Sequence, residues 1–200
     1  PSAGNAAAIG AIEIKNYTST RAIRLGTASS GFLALNAADF TKLQSKFLRI
    51  GSATAGAVIV NADITRNTVT SGSVSDLNTL KILSGSTVSS TAALTVTNLA
   101  VQSTGAITLT NQNTVGQLAL DSAASGSAAV AFTAKTGTTY MPATVDGVNA
   151  KFGIPSTFSL QNTPTSAPIT AFQNVVLTPN PSVSLKDSYG NKIDATNTLN

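Results

Sequence analysis

Ala22-Ile-Arg-Leu-Gly-Thr-Ala-Ser-Ser-Gly-Phe-Leu-Ala-Leu-Asn-Ala37 and Phe47-Leu-Arg-Ile-Gly-Ser-Ala-Thr-Ala-Gly-Ala-Val-Ile-Val-Asn-Ala62 are two copies of one pattern. Six of the sixteen positions are identical: Arg24/Arg49, Gly26/Gly51, Ala28/Ala53, Gly31/Gly56, Asn36/Asn61 and Ala37/Ala62. Most of the others exchange like for like. A repeat of this length, about 25 residues, points to a solenoid, in which each unit buries its apolar face only against its neighbours.

Outward from the repeat, apolar pairs at i and i+2 mark short strands with one inward face. Ile23/Leu25 and Leu48/Ile50 stand one repeat apart, and so do Leu33/Leu35 and Val58/Val60. Leu94/Val96 and Leu118/Leu120 are separated by nearly the same interval, as are Ile107/Leu109 and Val130/Phe132. The spacing predicts two strands per coil, with Ile23 above or below Leu48 and Leu33 beside Val58. The expected fold is all-β: residues 1–150 form a parallel β-helix of about five or six coils, wound right-handed by the usual crossover preference. An antiparallel sandwich has similar strand spacing. Register kept over the whole of both copies, and turns rich in Gly, Ser and Ala rather than hairpin dipeptides, favour the solenoid.

Two interruptions stand out. Residues 63–92 are less regular, and Leu80-Lys-Ile-Leu83 repeats Leu48-Arg-Ile-Gly51 after more than one repeat length, which predicts an insertion in a loop. Asn36-Ala-Ala-Asp39 has capping-box spacing, and Phe40, Leu43 and Phe47 follow at helical intervals, which predicts a short helix.

Composition excludes chemistry. The 200 residues contain no Cys, His or Trp. Cys nucleophiles, Cys/His zinc sites, Ser-His-Asp triads and imidazole acid–base steps are therefore ruled out. Ser, Thr and Asn number 68 and charged residues are only 10% of the chain. That balance suits many strands with small, neutral, hydrogen-bonding outer faces. No apolar run is long enough to span a bilayer. The start Pro1-Ser-Ala-Gly4 leads us to expect a processed piece of something longer. The net charge of +4 comes from residues 13–66, where Lys15, Arg21, Arg24, Lys42, Lys46, Arg49 and Arg66 face Glu13, Asp39 and Asp63. These cations are scattered, without runs or interleaved aromatics, so no nucleic-acid partner is expected.

The texture changes near Lys151. Five of the seven prolines lie at residues 155–181, and Pro lacks the donor that a central strand needs. Residues 151–200 are expected to be a Pro-rich β segment, too short to bury a sandwich core alone. It is either part of an immunoglobulin-like domain or a cap on the last coil near Val145–Phe152. Its strand-like pieces are Phe158-Ser-Leu160, Val175-Val-Leu177 and Val183-Ser-Leu185.

Three stretches resemble the shaft repeats of filamentous haemagglutinin-like bacterial surface exoproteins. The first joins Ile23-Arg-Leu-Gly26, Leu33-Ala-Leu-Asn-Ala-Ala-Asp-Phe40 and Leu48-Arg-Ile-Gly-Ser52. The second is Gly105-Ala-Ile-Thr-Leu-Thr-Asn-Gln-Asn-Thr-Val-Gly-Gln-Leu-Ala-Leu120, and the third is Thr144-Val-Asp-Gly-Val148 after Val130-Ala-Phe-Thr133. The resemblance covers roughly residues 20–150. It implies a right-handed parallel β-helix, export to the extracellular bacterial cell surface, and structural or adhesive work. The tail Pro181-Ser-Val-Ser-Leu-Lys-Asp-Ser-Tyr-Gly-Asn-Lys-Ile193 is similar to bacterial immunoglobulin-like surface repeats.

Four sets of residues are candidates for more than architecture. Glu13, Asp39 and Asp63, each close to one repeat from the next, would form an acidic column in such a solenoid, with Lys15, Lys42 and Arg66 near enough to neutralise it. Arg24 and Arg49 would stack one coil apart, their side chains splayed into water. Asn36 and Asn61 would form an amide ladder. Thr95/Thr97 and Thr108/Thr110 have the Thr-x-Thr form of ice-binding solenoids, but in only two copies. No catalytic, cofactor-binding or metal-binding residue is assigned, and no cofactor is expected. The expected function is a non-catalytic structural or adhesive shaft; the alternative is a β-helical protein that binds or cleaves polysaccharide. Expected partners are a surface glycan, a protein receptor or neighbouring copies of the chain, with no nucleic acid and no membrane span.

Overall fold

The structure, a computed structural model, describes residues 10–43, 45–66, 79–126, 129–161 and 182–193. In chain order the first elements are β1 (Ala11–Ile14), β2 (Ile23–Gly26), β3 (Leu33–Asn36), α1 (Ala37–Lys42), β4 (Phe47–Gly51), β5 (Val58–Val60), β6 (Ile64–Arg66), β7 (Thr79–Ser84) and β8 (Val88–Ser90). They are followed by β9 (Leu94–Ser103), β10 (Ile107–Ser122), β11 (Val130–Ala134), β12 (Met141–Pro142), β13 (Thr157–Gln161), β14 (Ser182–Lys186) and β15 (Lys192–Ile193).

The fold is mostly β, built on a curled parallel sheet, a half-barrel, whose hydrogen-bonded path is β1-β4-β7-β9-β10-β8-β5-β2-β3. The nine strands make two walls that meet in β10. Its first residues, from Ile107, pair with β8 and β11, and its later ones, to Ser122, pair with β9 and β12. On the first wall Ile12, Leu48, Leu80, Leu99 and Leu118 stack in one inward row. Ile14, Ile50, Ile82, Val101 and Leu120 form the next row. On the second wall the row is Leu33, Ile23, Val58, Val88, Ile107 and Val130. Most of these side chains are fully buried and belong to one continuous core. Each apolar side chain so buried contributes about 1.5–3 kcal/mol.

The parallel stacking is as expected, but the partners are not. Ile23 does not lie on Leu48; it pairs with Val58 on one side and Leu33 on the other. Leu48 pairs with Ile12 and Leu80. Leu33 is separated from Val58 by the strand that carries Ile23. The two sequence copies therefore begin on different walls. What they share is a strand that ends in a corner. Gly26 (φ +114°) and Gly51 (φ +88°) both have positive φ where another segment closes in. A Cβ on Gly26 would come 2.5 Å from the Ala62 nitrogen, and one on Gly51 would run into the Leu83 carbonyl oxygen. Only glycine meets both demands. The sequence repeat thus reports a shared corner chemistry and not the chain length between stacked strands.

The stacked pair with a clear sequence echo is Leu48-Arg49-Ile50 on Leu80-Lys81-Ile82, which lie in register. Residues 67–78, within the stretch expected to hold the insertion, lie outside the described residues. Helix α1 forms where the capping box places it. The Asp39 carboxylate accepts the Asn36 N–H at 2.9 Å, and Phe40 is buried. The helix ends at Lys42, and Phe47 lies in a strand instead of extending the helical face.

The C-terminal segment contributes a three-stranded antiparallel sheet, β13-β14-β15. Asp187 organises its turn: Oδ1 accepts the N–H groups of Tyr189 and Asn191 at 2.9 and 3.0 Å. Tyr189 is buried against the main core, and its hydroxyl accepts the Ser122 N–H at 2.6 Å. Ser188 donates to the Lys151 carbonyl, and Asp187 accepts the Gly153 N–H. Val175-Val-Leu177 lies outside the described residues.

Candidate functional site on the outer face of the first wall

Alternation along a strand sends every second residue of the first wall outward. One outward row is Phe47, Thr79, Asn98, Gln117 and Met141. The next is Glu13, Arg49, Lys81, Ala100 and Ala119. The second row does not face water along its whole length, because a hairpin crosses it. Val145 and Val148 exchange backbone hydrogen bonds at 3.0 and 2.9 Å and pack with Ala100 and Ala119 into a small buried cluster. Small residues at 100 and 119 let the hairpin backbone approach the sheet.

The hairpin turn is Asp146-Gly147, with φ of +45° and +76°. Positive φ at both central residues is the type I′ pattern, which Asp-Gly favours. One hairpin dipeptide is thus present after all, in the strap that crosses the wall. The turn aims the Asp146 carboxylate at Arg49: Nε and Nη2 each donate at 2.7 Å, a two-pronged pair. Arg49 Nη1 donates to Glu13 at 3.1 Å, and Lys15 pairs with the same carboxylate at 2.7 Å. Lys81, the next rung below Arg49, donates to the Asp146 carbonyl at 2.8 Å. Two stacked cations are in this way held between a carboxylate, a carbonyl and Glu13. Hydrogen bonds from Lys15 and then Arg49 hold the Glu13 carboxyl below the usual carboxylate range. Asp146 first and Glu13 second push the Arg49 guanidinium higher still.

Beside the strap lies a groove of about 510 Å³, lined by Lys46, Phe47, Thr79, Asn98, Gln117 and Thr144, with Asp146 at its edge. Asn98 donates to the Thr79 hydroxyl at 3.3 Å. Gln117 is exposed, and its amide has no hydrogen-bond partner among the described residues. The Lys46 ammonium stands 5.7 Å from the centre of the Phe47 ring and has no carboxylate partner among the described residues. The groove thus combines one uncompensated cation, an aromatic face and a ladder of hydroxyl and amide groups.

The residues singled out in the sequence are dispersed. Glu13 pairs with Arg49 and Lys15 on the outer face, Asp39 caps α1, and Asp63 accepts the Ala93 N–H at 2.8 Å. They form no column, because the chain lengths between stacked strands differ and α1 intervenes. Arg24 and Arg49 do not stack: Arg24 lies on the second wall beside Ala34 and Ile59, with its guanidinium carbon 4.3 Å from the Phe32 ring centre. Asn36 and Asn61 are not adjacent rungs. Asn36 pairs with Gly26, and Asn61 donates from its backbone to Leu25 on the other side and from its amide to Thr27. Thr95 pairs with Thr65 and Thr114, whereas Thr108 pairs with Ser89 and Ala131 on the other wall.

Arg66 does not neutralise Asp63. It continues the inward row of Val96 and Val115, is 2% exposed, and reaches beneath the end of α1. Nη1 donates to the Leu43 carbonyl at 2.6 Å and Nη2 to the Ser45 carbonyl at 2.7 Å. A cation is favourable against the carbonyls left open at a helix end. Burial nonetheless pulls the guanidinium below the usual arginine range. Asn113, fully buried, makes a similar joint at another corner: Oδ1 accepts the Leu94 N–H, and Nδ2 donates to the carbonyls of Leu109 and Thr133. The signal for Arg66 lay in the sequence, since its strand parity matches that of the inward Ile64.

No protein-family model, curated protein or solved structure matches the chain. Among the described residues, no group of three or more acidic side chains is placed to hold a metal ion, and no helix is long and apolar enough to cross a membrane.

Proposed function

We propose that this chain is a structural and adhesive shaft segment of a large secreted bacterial surface protein, of the filamentous haemagglutinin-like kind, with its curled sheet part of a right-handed β-helix. The observation that carries the reading is the pair of unbroken inward rows, Leu48-Leu80-Leu99-Leu118 and Ile50-Ile82-Val101-Leu120. Each coil buries its neighbour's apolar face, so the architecture extends by adding coils. Its outer surface is then free to vary. The resemblance of residues 20–150 to shaft repeats supports the same reading.

The polysaccharide-cleaving alternative needs two carboxylates poised around a glycosidic bond. The described carboxylates are all engaged in structural contacts. Glu13 and Asp146 hold Arg49, Asp39 caps α1, Asp63 accepts Ala93 N–H, Asp121 pairs with Lys151, and Asp187 forms its turn. The reading is tested on intact cells that make the full-length protein, with antibodies raised against this chain. Labelling without permeabilisation, removed by external protease, is the expected result. Labelling only after lysis would sink the proposal.

A further inference from the structure

The geometry points to the groove beside the strap as a binding site for a sparsely charged acidic glycan, one with a uronic-acid carboxylate among neutral hydroxyls. This rests on the adhesive part of the function proposed above and gives it a ligand class. Asn98 and Gln117 are successive rungs of one outward row, next to the buried Thr79 whose hydroxyl accepts from Asn98. Each side chain both donates and accepts, as sugar hydroxyls do, and the rungs repeat at the strand spacing of about 4.8 Å. Phe47, on the preceding rung, is half-buried, and its ring stands 5.7 Å from both the Lys46 ammonium and the Arg49 guanidinium carbon, so it serves to hold Lys46 at the groove.

Charge then decides the class. The Asp146 carboxylate at the groove's edge is turned onto Arg49, and its side chain is only 7% exposed. Arg49 is in turn neutralised by Asp146 and Glu13. The remaining charge in the lining is Lys46, exposed and without a carboxylate partner among the described residues. A single free ammonium matches one carboxylate. A densely sulfated chain would call for several cations, and a neutral glycan would leave this one unused.

The experiment titrates the full chain by NMR or calorimetry with a trisaccharide of one galacturonate and two galactose units, and with the neutral galactotriose of the same linkage. We expect saturable binding of the mono-uronate, weakened by salt, and binding of the neutral sugar about tenfold weaker, the loss of one charge-assisted hydrogen bond. Lys46→Met should bring the mono-uronate down to the neutral level and leave galactotriose unchanged. The double variant Asn98→Ala/Gln117→Ala should weaken both sugars. Lys42→Met, on α1, should change neither; all variants are to be used only with a wild-type melting profile. Absence of saturable mono-uronate binding, equal binding of the two sugars, or indifference to Lys46→Met would each overturn the assignment. Surface labelling in the earlier experiment would survive such a failure, so the two proposals fail separately.

Discussion

The early and late strands of the curled sheet solve the same problem with different amounts of chain. Along the first wall, stacked residues run Ile12, Leu48, Leu80, Leu99 and Leu118. Glu13 and Arg49, on adjacent early rungs, are 36 positions apart in sequence, whereas Thr79 and Asn98, on adjacent later rungs, are 19 apart. The rows themselves are alike in both parts. Chain length is absorbed at the corners, and the corners differ. In the later part of the sheet β9 and β10 run on continuously, and Asn113 joins three backbone groups. In the earlier part the connection carries α1, and Arg66 serves the carbonyls at its end. Buried backbone groups that no ladder reaches need another partner. Here the short connection is served by an amide and the long one by a guanidinium.

The largest effect should come from the glycines at corners. Gly51→Ala forces a side chain into positive φ and against the Leu83 carbonyl, and should cost about 3–5 kcal/mol in urea unfolding. Gly116→Ala lies inside β10, without positive φ, where the new Cβ would be 3.0 Å from the nearest atom, the Thr97 oxygen. It should cost about 1 kcal/mol or less. Equal losses would show that positive φ and the Leu83 carbonyl do not set the cost at Gly51.

Next come the two buried joints. Asn113→Leu leaves the Leu94 N–H and the Leu109 and Thr133 carbonyls without that partner, at about 3 kcal/mol. Arg66→Met also orphans carbonyls but removes a buried charge, whose Nε has no partner among the described residues, and should cost less, about 1–2 kcal/mol. If Arg66→Met proves the more damaging in matched unfolding curves, the guanidinium holds the early coils more firmly than its geometry indicates.

The joint between the late coils and the C-terminal sheet should respond to alkali. Burial first, and the nearby Asp121 and Asp187 charges, push the Tyr189 hydroxyl up to about 12. A pKa raised in the fold means that the neutral form is favoured there. The contribution is complete below the unfolded value of about 10 and is lost as pH rises from there through about 12. Tyrosinate absorbance should report the transition, and Tyr189→Phe should remove that step while costing about 1 kcal/mol at neutral pH. A Tyr189 that titrates near its unfolded value would contradict the docking described above.

The smallest effect belongs to the strap. Arg49→Lys gives up the two-pronged fork but leaves a cation facing the 7%-exposed Asp146 carboxylate, so the loss should stay near or below about 1 kcal/mol. The sharper readout is hydrogen exchange at Val148 N–H, which should quicken while Leu118 N–H does not.

Some of this was legible and some was not, for a physical reason. Period-two alternation says which face a residue takes, so Ile23, Leu48, Val58 and Ile107 were read as inward correctly. It does not say which strand lies alongside, because that depends on corner length. The Asn36–Asp39 cap was legible because it is local. The link from Arg49 to Asp146 joins residues 97 positions apart and leaves no mark on either neighbourhood. Proximity in sequence assigns Arg66 to the neutralisation of the acidic set, whereas its parity with Ile64 points it inward to the Leu43 and Ser45 carbonyls. The groove was not foreseen, since its rungs share one row only once the length of the late coils is known.

The strap has a consequence in time as well as in space. Arg49 and Lys81 are stacked like charges, and the atoms that compensate Lys81 belong to residue 146. Closing so long a loop is slow relative to local pairing. The hairpin should therefore close last, over a wall already laid down, and act as a seal on a finished assembly. In pulse-labelled refolding, protection at Val145 and Val148 should appear after protection at Leu99 and Leu118. A chain ending before Ala143 would leave Ala100 and Ala119, now fully covered, open to any passing apolar surface.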